Sequence, residues 1–539
     1  MERIVDAVRR GAPDAVITLD THEDYVRGYQ VQVLALAKQV TVFLPSREEL
    51  ADLVGYDDPP RALRQLSEEA GLHRVVIKAG KDGAMIWDKL RSAVTRVDAV
   101  ATRVVDVTGA GDAFCGGFAA GMANGQDLVQ AARRGAVSAA FATEGFGSLA
   151  LASVSPARAT ARLTGSPRAG LKDPFSIELM LDEIKSAPEV LRNQLAAGAT
   201  SAATLAESLA QSGVNNIYMT GCGDSYLAGA AAALAFARHA GIAAEAIHAL
   251  DLARYRVRYL PANSAVLCVS SSGEVGRTIE AAAQARAFGY RVIALTASPG
   301  SRLAAEATDL LPLDFQALGN TPGTISYLAM LAILFDLSLR WGAARGKAAI
   351  PQVRAALEGA PELVAQTIAR SDERTARLAD RLRHRSAITF IGAGPNEASA
   401  RFGAAKLFEG AQMRGVATNL EEWAHGEYFV SGDGTPVVVV APAGASSDRV
   451  AAILEELAFV NADATLITDA PPVTDVANLI GLAPGLPEEF SPLLAALPLS
   501  LLAFYLARDR GKQSYNFPSP MARSEHYDTI HRDTRGTPA

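Results

Sequence analysis

Residues 270–278, SSSGEVGRT, lie between a hydrophobic run at 265–269 and a helix-like stretch that opens at Ile279. A strand that breaks into hydroxyls and then starts a helix is suited to holding an anion. The first N–H groups of a helix and the positive end of its dipole favour a phosphate, and the hydroxyls of Ser270, Ser271 and Ser272 add directed donors. An ordinary serine-rich helix cap is the plain alternative. Further along, Lys406 and Glu409 in AAKLFEGAQ stand three residues apart, which puts a cation and a carboxylate on one helix face. His425 follows in EEWAHGEY, behind two acidic residues and a tryptophan. Seen singly, a solvated ion pair and a surface histidine would account for these residues.

An internal repeat changes that balance. NNIYMTGCGDSYLAG (215–229) and SAITFIGAGPNEASA (386–400) share a strand, a Gly-x-Gly turn and a helix, with Gly221 mapping onto Gly392 at a shift of 171. The same shift carries AVLCVSSSG (265–273) onto PVVVVAPAG (436–444) and places Gly273 on Gly444. One shift serving both pairs argues for duplicated α/β domains. The second copy has Ala441, Pro442 and Ala443 where the first has its serines, so the fold does not need the hydroxyls. Conversely, the first copy has Arg238 and Arg254 where the second has Glu409 and His425. The copies divide the labour: one holds the anion and the other carries acid and base.

These groups must be positioned by a long chain. At 539 residues it exceeds one hydrophobic core, and a prior of ~150 residues per domain gives three or four domains. Alternating hydrophobic runs and alanine-rich helical stretches predict α/β architecture with mostly parallel sheets. DAVITLD, QVTVFLP and RVVIKAG read as strands of a first series, LTGSPRAGLKDPFS (163–176) as a linker, and ELMLDEIKSAP as a helix leading into the repeat. The expected domains are 1–163, a linker and leading helix over 164–195, repeat copies over 196–350 and 351–515, and a tail over 516–539. With 51 basic and 58 acidic residues the net charge is −7, which offers no basic surface for nucleic acid or anionic membrane. Cys115, Cys222 and Cys268 are too few and too scattered for a disulfide framework or a paired zinc site, which fits a reducing cytoplasm. The N-terminus lacks the apolar core of a signal peptide. The apolar stretch FSPLLAALPLSLLAFYLA, interrupted by Pro492 and Pro498, reads as a buried helix.

The region from about 178 to 515 resembles the tandem sugar isomerase (SIS) domains of phosphosugar enzymes, especially the isomerase half of glucosamine-6-phosphate synthase. The resemblance rests on EIKSAP, GCGDSY, SSSGEVGRT, KLFE and HGE in that order, and on the sixteen residues from Glu409 to His425. It implies three-layer domains with flavodoxin-like parallel sheets. It also implies that Cys222, Gly223, Asp224 and Ser225 form a sugar loop, while Ser270, Ser271, Ser272, Gly273 and Thr278 grip a sugar phosphate. Lys406 and Glu409 would serve the open-chain sugar and His425 would assist ring opening. Moving a carbonyl between C1 and C2 needs a base that takes a proton from carbon, for which Glu409 is the candidate, with Lys406 stabilising the enediolate oxygen. The family often takes its histidine from a neighbouring subunit, so a homodimer or larger even homo-oligomer is implied. The resemblance further implies a tail, here with His526 and His531, closing over the site. Departures are visible. Val275 stands where the phosphate loop has a threonine, although Arg277 and Thr278 could compensate. GNTPGTISY (319–327) replaces an Ala-Ser-Thr-Lys run, and no lysine follows Lys512. The chain begins Met1-Glu2 without the cysteine nucleophile of a glutaminase, so the expectation is against glucosamine-6-phosphate synthesis.

DVTGAGDAFCGGF (106–118) resembles the second signature of ribokinase/PfkB-type sugar kinases. That resemblance implies an anion hole at Gly109, Ala110 and Gly111 on a helix N-terminus, with Asp112 as the base that deprotonates a sugar hydroxyl. VVIKAGKDGAMIW (75–87) looks like the nucleotide-side strand and turn and contributes Lys78 and Gly80. FLPSREELADLVG (43–55) looks like the acidic helix start, with Ser46 replacing the usual asparagine, and EGFGSLA (144–150) like the closing loop. ATP and Mg2+ are the implied ligands there, whereas the SIS region implies no cofactor. The match starts at Met1 and covers the C-terminal half of such a kinase, which leaves either a start codon placed late or a half-domain kept as a structural or nucleotide-sensing module.

The resulting expectation is a cytoplasmic isomerase, deaminase or deglycase acting on a ketose, aldose or amino-sugar 6-phosphate, in which Ser272 and Glu409 serve one ligand. The rivals are an ATP-dependent sugar kinase with SIS domains as sensors, and a non-catalytic phosphosugar-binding module.

Overall fold

A computed structural model of the chain describes residues 2–55, 58–68, 70–88, 93–100, 106–144, 175–347, 350–471 and 476–517, with 104, 151, 154, 159, 163, 526 and 529–531 besides. All of the stretch ATRVV but Val104, the loop after Glu144 and nearly all of the expected linker lie outside the described residues. The chain forms two units, Met1–Gly170 and Leu171–Ala539.

In the first unit one sheet runs β1 (Thr18–Leu19), β2 (Val42–Phe43), β3 (Arg74–Lys78), β4 (Ala84–Asp88), β5 (Ala93–Val97). The first three strands are parallel, as the alternating pattern predicts, but β3, β4 and β5 pair antiparallel. The reason is local. Between β3 and β4 the chain has only a tight turn with Gly80 at φ 54° and Gly83 at φ 83°, too short for the crossover helix that a parallel neighbour requires. Helices Ala110–Ala123 and Leu128–Ala142 pack together. Their glycines permit this: a Cβ on Gly135 would lie 2.8 Å from the Phe114 carbonyl oxygen.

The second unit contains the repeat. Its first sheet is ordered β7 (Ala243–His248), β6 (Asn216–Gly221), β8 (Ser264–Val269), β9 (Arg291–Thr296), β10 (Asp309–Pro312). The second is ordered β12 (Arg414–Asn419), β11 (Ala387–Gly392), β13 (Pro436–Val440), β14 (Asp463–Thr468), β15 (Asn478–Gly481). All these pairs are parallel, in the doubly wound order that puts a ligand crevice at the strand carboxyl ends. The shift of 171 maps β6 onto β11, helix Asp224–Ala235 onto Pro395–Lys406, and the following π turn, Phe236–Ala240, onto Leu407–Ala411. It also maps β7 onto β12. The register drifts only later in each copy.

Strands such as β8 and β13 are buried along their whole length and accordingly read as continuous apolar runs. Helices Ile325–Ala344 and Pro492–Asp509 join both copies in one hydrophobic core that includes Leu227, Tyr327, Phe402 and Leu499. Both helices are long and apolar enough to cross a membrane by composition, and both are almost wholly enclosed in this core. The stretch with Pro492 and Pro498 is thus a buried helix.

Candidate functional site

The turn after β6 and the turn after β8 meet. Gly223 sits at φ 56°, ψ −131°, a conformation that favours glycine, and launches the helix beginning at Asp224. The Ser225 amide donates to the Cys222 carbonyl at 3.3 Å. In the serine loop, Ser270 is buried and its hydroxyl accepts from the Gly273 amide at 3.1 Å, which closes the turn. Ser271 is half-buried and Ser272 is exposed. Helix Gly276–Ala287 begins without a side-chain cap, so its first amides are not taken up by a capping hydroxyl. The Thr278 hydroxyl lies 3.9 Å from Cys222 Sγ and joins the two turns. The loop's cations are paired: Arg277 and Arg254 both reach Glu280, and Arg302 binds Glu274. Arg302 also donates to the His531 carbonyl at 2.8 Å, which brings a tail residue beside the serine loop.

Lys406 and Glu409 come from the other copy. Lys406 ends an α-helix and Glu409 lies in the π turn that follows, a local widening common at functional sites. The Lys406 side chain is fully enclosed, and its Nζ donates to Glu409 Oε2 at 2.6 Å and to Asp224 Oδ2 at 2.7 Å. Burial alone would drive the proton off Lys406, but the two carboxylates more than offset it and hold its pKa above the ordinary lysine value. Burial raises the Asp224 carboxyl, against the pull of Lys406. Contacts therefore run from the serine loop through Thr278, Cys222 and Asp224 to Lys406 and Glu409. Asp224, expected as a sugar contact, has its carboxylate on the lysine.

Three more residues border this centre. Glu183, in the EIKSAP helix, accepts from the Leu318 amide at 2.9 Å and from the Thr321 hydroxyl at 2.6 Å, and so pins the GNTPGTISY segment. Burial pushes its carboxyl up. Within that segment a Cβ on Gly323 would lie 2.6 Å from Asp224 Oδ2, so the backbone can approach the carboxylate only because no side chain intervenes. The Tyr515 hydroxyl donates to Glu409 Oε2 at 3.3 Å, and the Tyr515 amide to the Glu409 carbonyl at 2.8 Å. His425 is not with this group. It ends the short helix Leu420–His425, its side chain 70 % exposed and 3.5 Å from Glu421, near the exposed Phe429 and Val430.

The sister loop in the second copy is occupied by the protein itself. The Ala445 amide donates to Glu488 Oε1 at 3.2 Å and the Ala443 amide to Asp469 Oδ1 at 2.7 Å. Arg238, the counterpart of Glu409, holds Glu488 at 3.2 Å and Glu489 at 2.6 Å, and His239 lies 2.7 Å from Glu489. Carboxylates stand where an anion would be held.

In the first unit Gly109, at φ 78°, precedes the helix that carries Ala110, Gly111 and the exposed Asp112. A Cβ on Gly111 would be 3.8 Å from Lys78 Nζ, which puts the lysine at the helix start. Lys78 Nζ donates to Asp20 Oδ1 at 2.5 Å, and Cys115 Sγ to Asp20 Oδ2 at 3.1 Å. Burial pushes the Cys115 thiol up to about 12. Asp20 and Cys115 were not singled out as site residues, although Asp20 ends DAVITLD and Cys115 lies within DVTGAGDAFCGGF. Among the described residues no group of three or more His, Cys, Asp or Glu could hold a metal ion.

Comparison with known families finds one match in each unit. Residues 6–153 match the pfkB family of carbohydrate kinases, and residues 209–335 match the SIS domain. The chain joins a PfkB segment to a SIS region. Among similar proteins, a glutamine–fructose-6-phosphate aminotransferase (isomerizing) of Mesorhizobium japonicum is 28% identical over 61% of this chain and 55% of its own length. That of Gloeobacter violaceus is 29% identical over 65% of this chain and 60% of its own. The chain thus spans little more than half the length of these curated relatives. Among solved structures, the C-terminal domain of the Francisella tularensis glucosamine-fructose-6-phosphate aminotransferase has a TM-score of 0.58 at 22% identity and covers 63% of this chain and 98% of its own. The Escherichia coli tagatose-6-phosphate ketose/aldose isomerase has a TM-score of 0.52 at 18% identity over 64% of this chain and 96% of its own. At these identities the structures establish the fold alone, over a little under two-thirds of the chain.

Proposed function

We propose that the second unit is a phosphosugar enzyme that moves a proton between adjacent carbons of an open-chain hexose or amino-sugar 6-phosphate. The observation that carries this reading is the bridge at Lys406, which ties Glu409 of one copy to Asp224 beside the serine loop of the other. The phosphate binds at Ser271, Ser272 and the start of helix Gly276–Ala287, which carries no side-chain cap. Glu409 takes the C2 proton of the aldehyde form, the electron pair moves onto the C1 oxygen, and the Lys406 ammonium donates to that enediolate oxygen. Transfer of the C2 hydroxyl proton to the C1 oxygen, and return of the carbon proton from Glu409 to C1, give the ketose. With nitrogen on the sugar, the same proton transfer precedes its release as ammonia or amine. His425, exposed beside Phe429 and Val430, would reach a site in a neighbouring copy and shuttle the ring-opening proton.

A panel of hexose and amino-sugar 6-phosphates, followed for sugar interconversion and ammonia together, tests the reading. Glu409→Gln should lower turnover by about 10²–10⁴-fold with binding retained. Unchanged turnover in that variant would sink it. A sugar kinase activity is a second reading, favoured by the carbohydrate-kinase match over 6–153 and by Lys78 at the helix start that bears Asp112. Consumption of ATP with Mg2+ in the same panel, abolished by Asp112→Asn, would support it.

A further inference from the structure

We infer that Asp224 is the standing counter-ion of Lys406, a positioning residue that keeps the lysine charged while Glu409 exchanges its proton. The inference rests on the roles proposed above for Glu409 and Lys406. Lys406 Nζ is enclosed, and its hydrogen bonds go to two carboxylates, Asp224 Oδ2 and Glu409 Oε2. Only one of these can keep its charge through the reaction. Once Glu409 has taken the proton from carbon it is neutral, and among the described residues the ammonium retains Asp224 alone as an anion within hydrogen-bond distance. A buried ammonium without such a partner sheds its proton. It would do so at the step when the enediolate oxygen needs a charged donor.

The surroundings hold Asp224 to this task. It follows Gly223 at a backbone conformation that fixes the start of its helix, and Gly323 closes over its Oδ2. Its other oxygen, Oδ1, is buried and makes no hydrogen bond among the described residues, so no other donor draws its charge away from the lysine. The groups facing the pair are Glu183, whose charge reaches Lys406, the buried Tyr327 beside Asp224, the Phe402 ring 4.9 Å from Nζ, and Tyr515 on Glu409. In the sister site the positions of Asp224, Lys406 and Glu409 hold Pro395, Ala235 and Arg238, so no member of the triad occurs there without the others.

The test is direct titration of Lys406 in the full chain, by NMR of lysine labelled with ¹³C at Cε. The chain has nine lysines, and Lys406→Met identifies the signal. Asp224→Asn should lower the Lys406 midpoint by at least about one pH unit, and Asp224→Glu should restore part of it. Gly323→Ala, which pushes on Oδ2 from outside the triad, should lower the same midpoint and serves if the Asn variant does not fold. With fructose 6-phosphate as substrate, Asp224→Asn should lower kcat about 10²-fold and move its alkaline limb downward, while inorganic phosphate binds within about threefold of wild type. A Lys406 midpoint equal in wild type and Asp224→Asn would overturn the inference. If the midpoint moves but the wild type turns over no sugar phosphate in the panel, the counter-ion stands and the proposed function falls.

Discussion

Gly273 and Gly444 occupy equivalent places in the two copies, and replacing each with alanine separates the loop that would hold a phosphate from the one that does not. Gly273 adopts φ 70°, where an L side chain is strained by about 1 kcal/mol or more. Its added Cβ would overlap the side chain of Ser301 and come within 3.0 Å of Thr296 Oγ1. Ser301 has little freedom to retreat, because its hydroxyl caps helix Arg302–Glu306 by accepting from the Ala304 amide. Overpacking of this kind adds about 1–3 kcal/mol, so Gly273→Ala should destabilise the second unit by about 2–5 kcal/mol. The chain can relieve the clash only by moving the loop, since the Leu303 amide bonds the Gly273 carbonyl at 3.0 Å. Gly444 has no positive φ, and its Cβ would overlap the Glu488 side chain, 2.2 Å from the carboxylate and 2.7 Å from Cγ, so Gly444→Ala should displace Glu488 from the Ala445 amide and Arg238 at a cost of about 1–3 kcal/mol without touching the serine loop. Calorimetric titration with fructose 6-phosphate and thermal melting of both variants decide the matter. Gly273→Ala should lose at least tenfold in affinity and melt about 3–8 °C lower, whereas Gly444→Ala should bind like wild type. Equal affinity in Gly273→Ala, or equal loss in both, would refute the assignment of phosphate to the serine loop.

Two further outcomes follow from the carboxylates that fill the sister loop. Wild-type protein should bind one inorganic phosphate per chain in the second unit, and Glu488→Ala, by freeing the Ala445 amide and releasing one of the two carboxylates on Arg238, should add a second, weaker equivalent in calorimetric titration. Glu489 is buried, which would raise its carboxyl, but hydrogen bonds from His239 and Arg238 hold it below the ordinary glutamate value. A lowered folded pKa contributes stability above the unfolded value and loses it as pH falls through the folded one. Glu489→Gln should therefore cost about 2–4 kcal/mol in urea unfolding near pH 7, with the gap to wild type closing below about pH 4.5. A gap independent of pH would show that the group is not held as a carboxylate.

The parts of this architecture that were legible in the sequence are those written in short, regular signals. The shift of 171 aligned β6 with β11 and the following helices because equal lengths of backbone make equal structures. The serine loop was legible because a hydroxyl-rich strand end contrasts with Ala441, Pro442 and Ala443 in its sister. The antiparallel half of the first sheet was not, since β4 and β3 carry the same apolar pattern whichever way they run, and only the short turn with Gly80 and Gly83 decides direction. The partners across the site were also hidden. Asp224 and Lys406 lie 182 positions apart and Glu183 and Thr321 lie 138 apart, so no local spacing joins them. A signal did exist in one departure from the resembled family. The GNTPGTISY segment brings Gly323 against Asp224, so a glycine at 323 and an acid at 224 are one feature: the room left by the first lets the backbone close over the second, and the second then meets the lysine. Tandem copies make such coupling possible, because a site built between two folds can have each half changed on its own chain segment while their meeting point is set by the shared core of helices Ile325–Ala344 and Pro492–Asp509. The asymmetry at Lys406 on one side and at Arg238 on the other is then a single consequence of duplication. One junction gathers an ammonium between two carboxylates in reach of an anion loop, while the other neutralises its own loop with Glu488 and leaves a structural clasp.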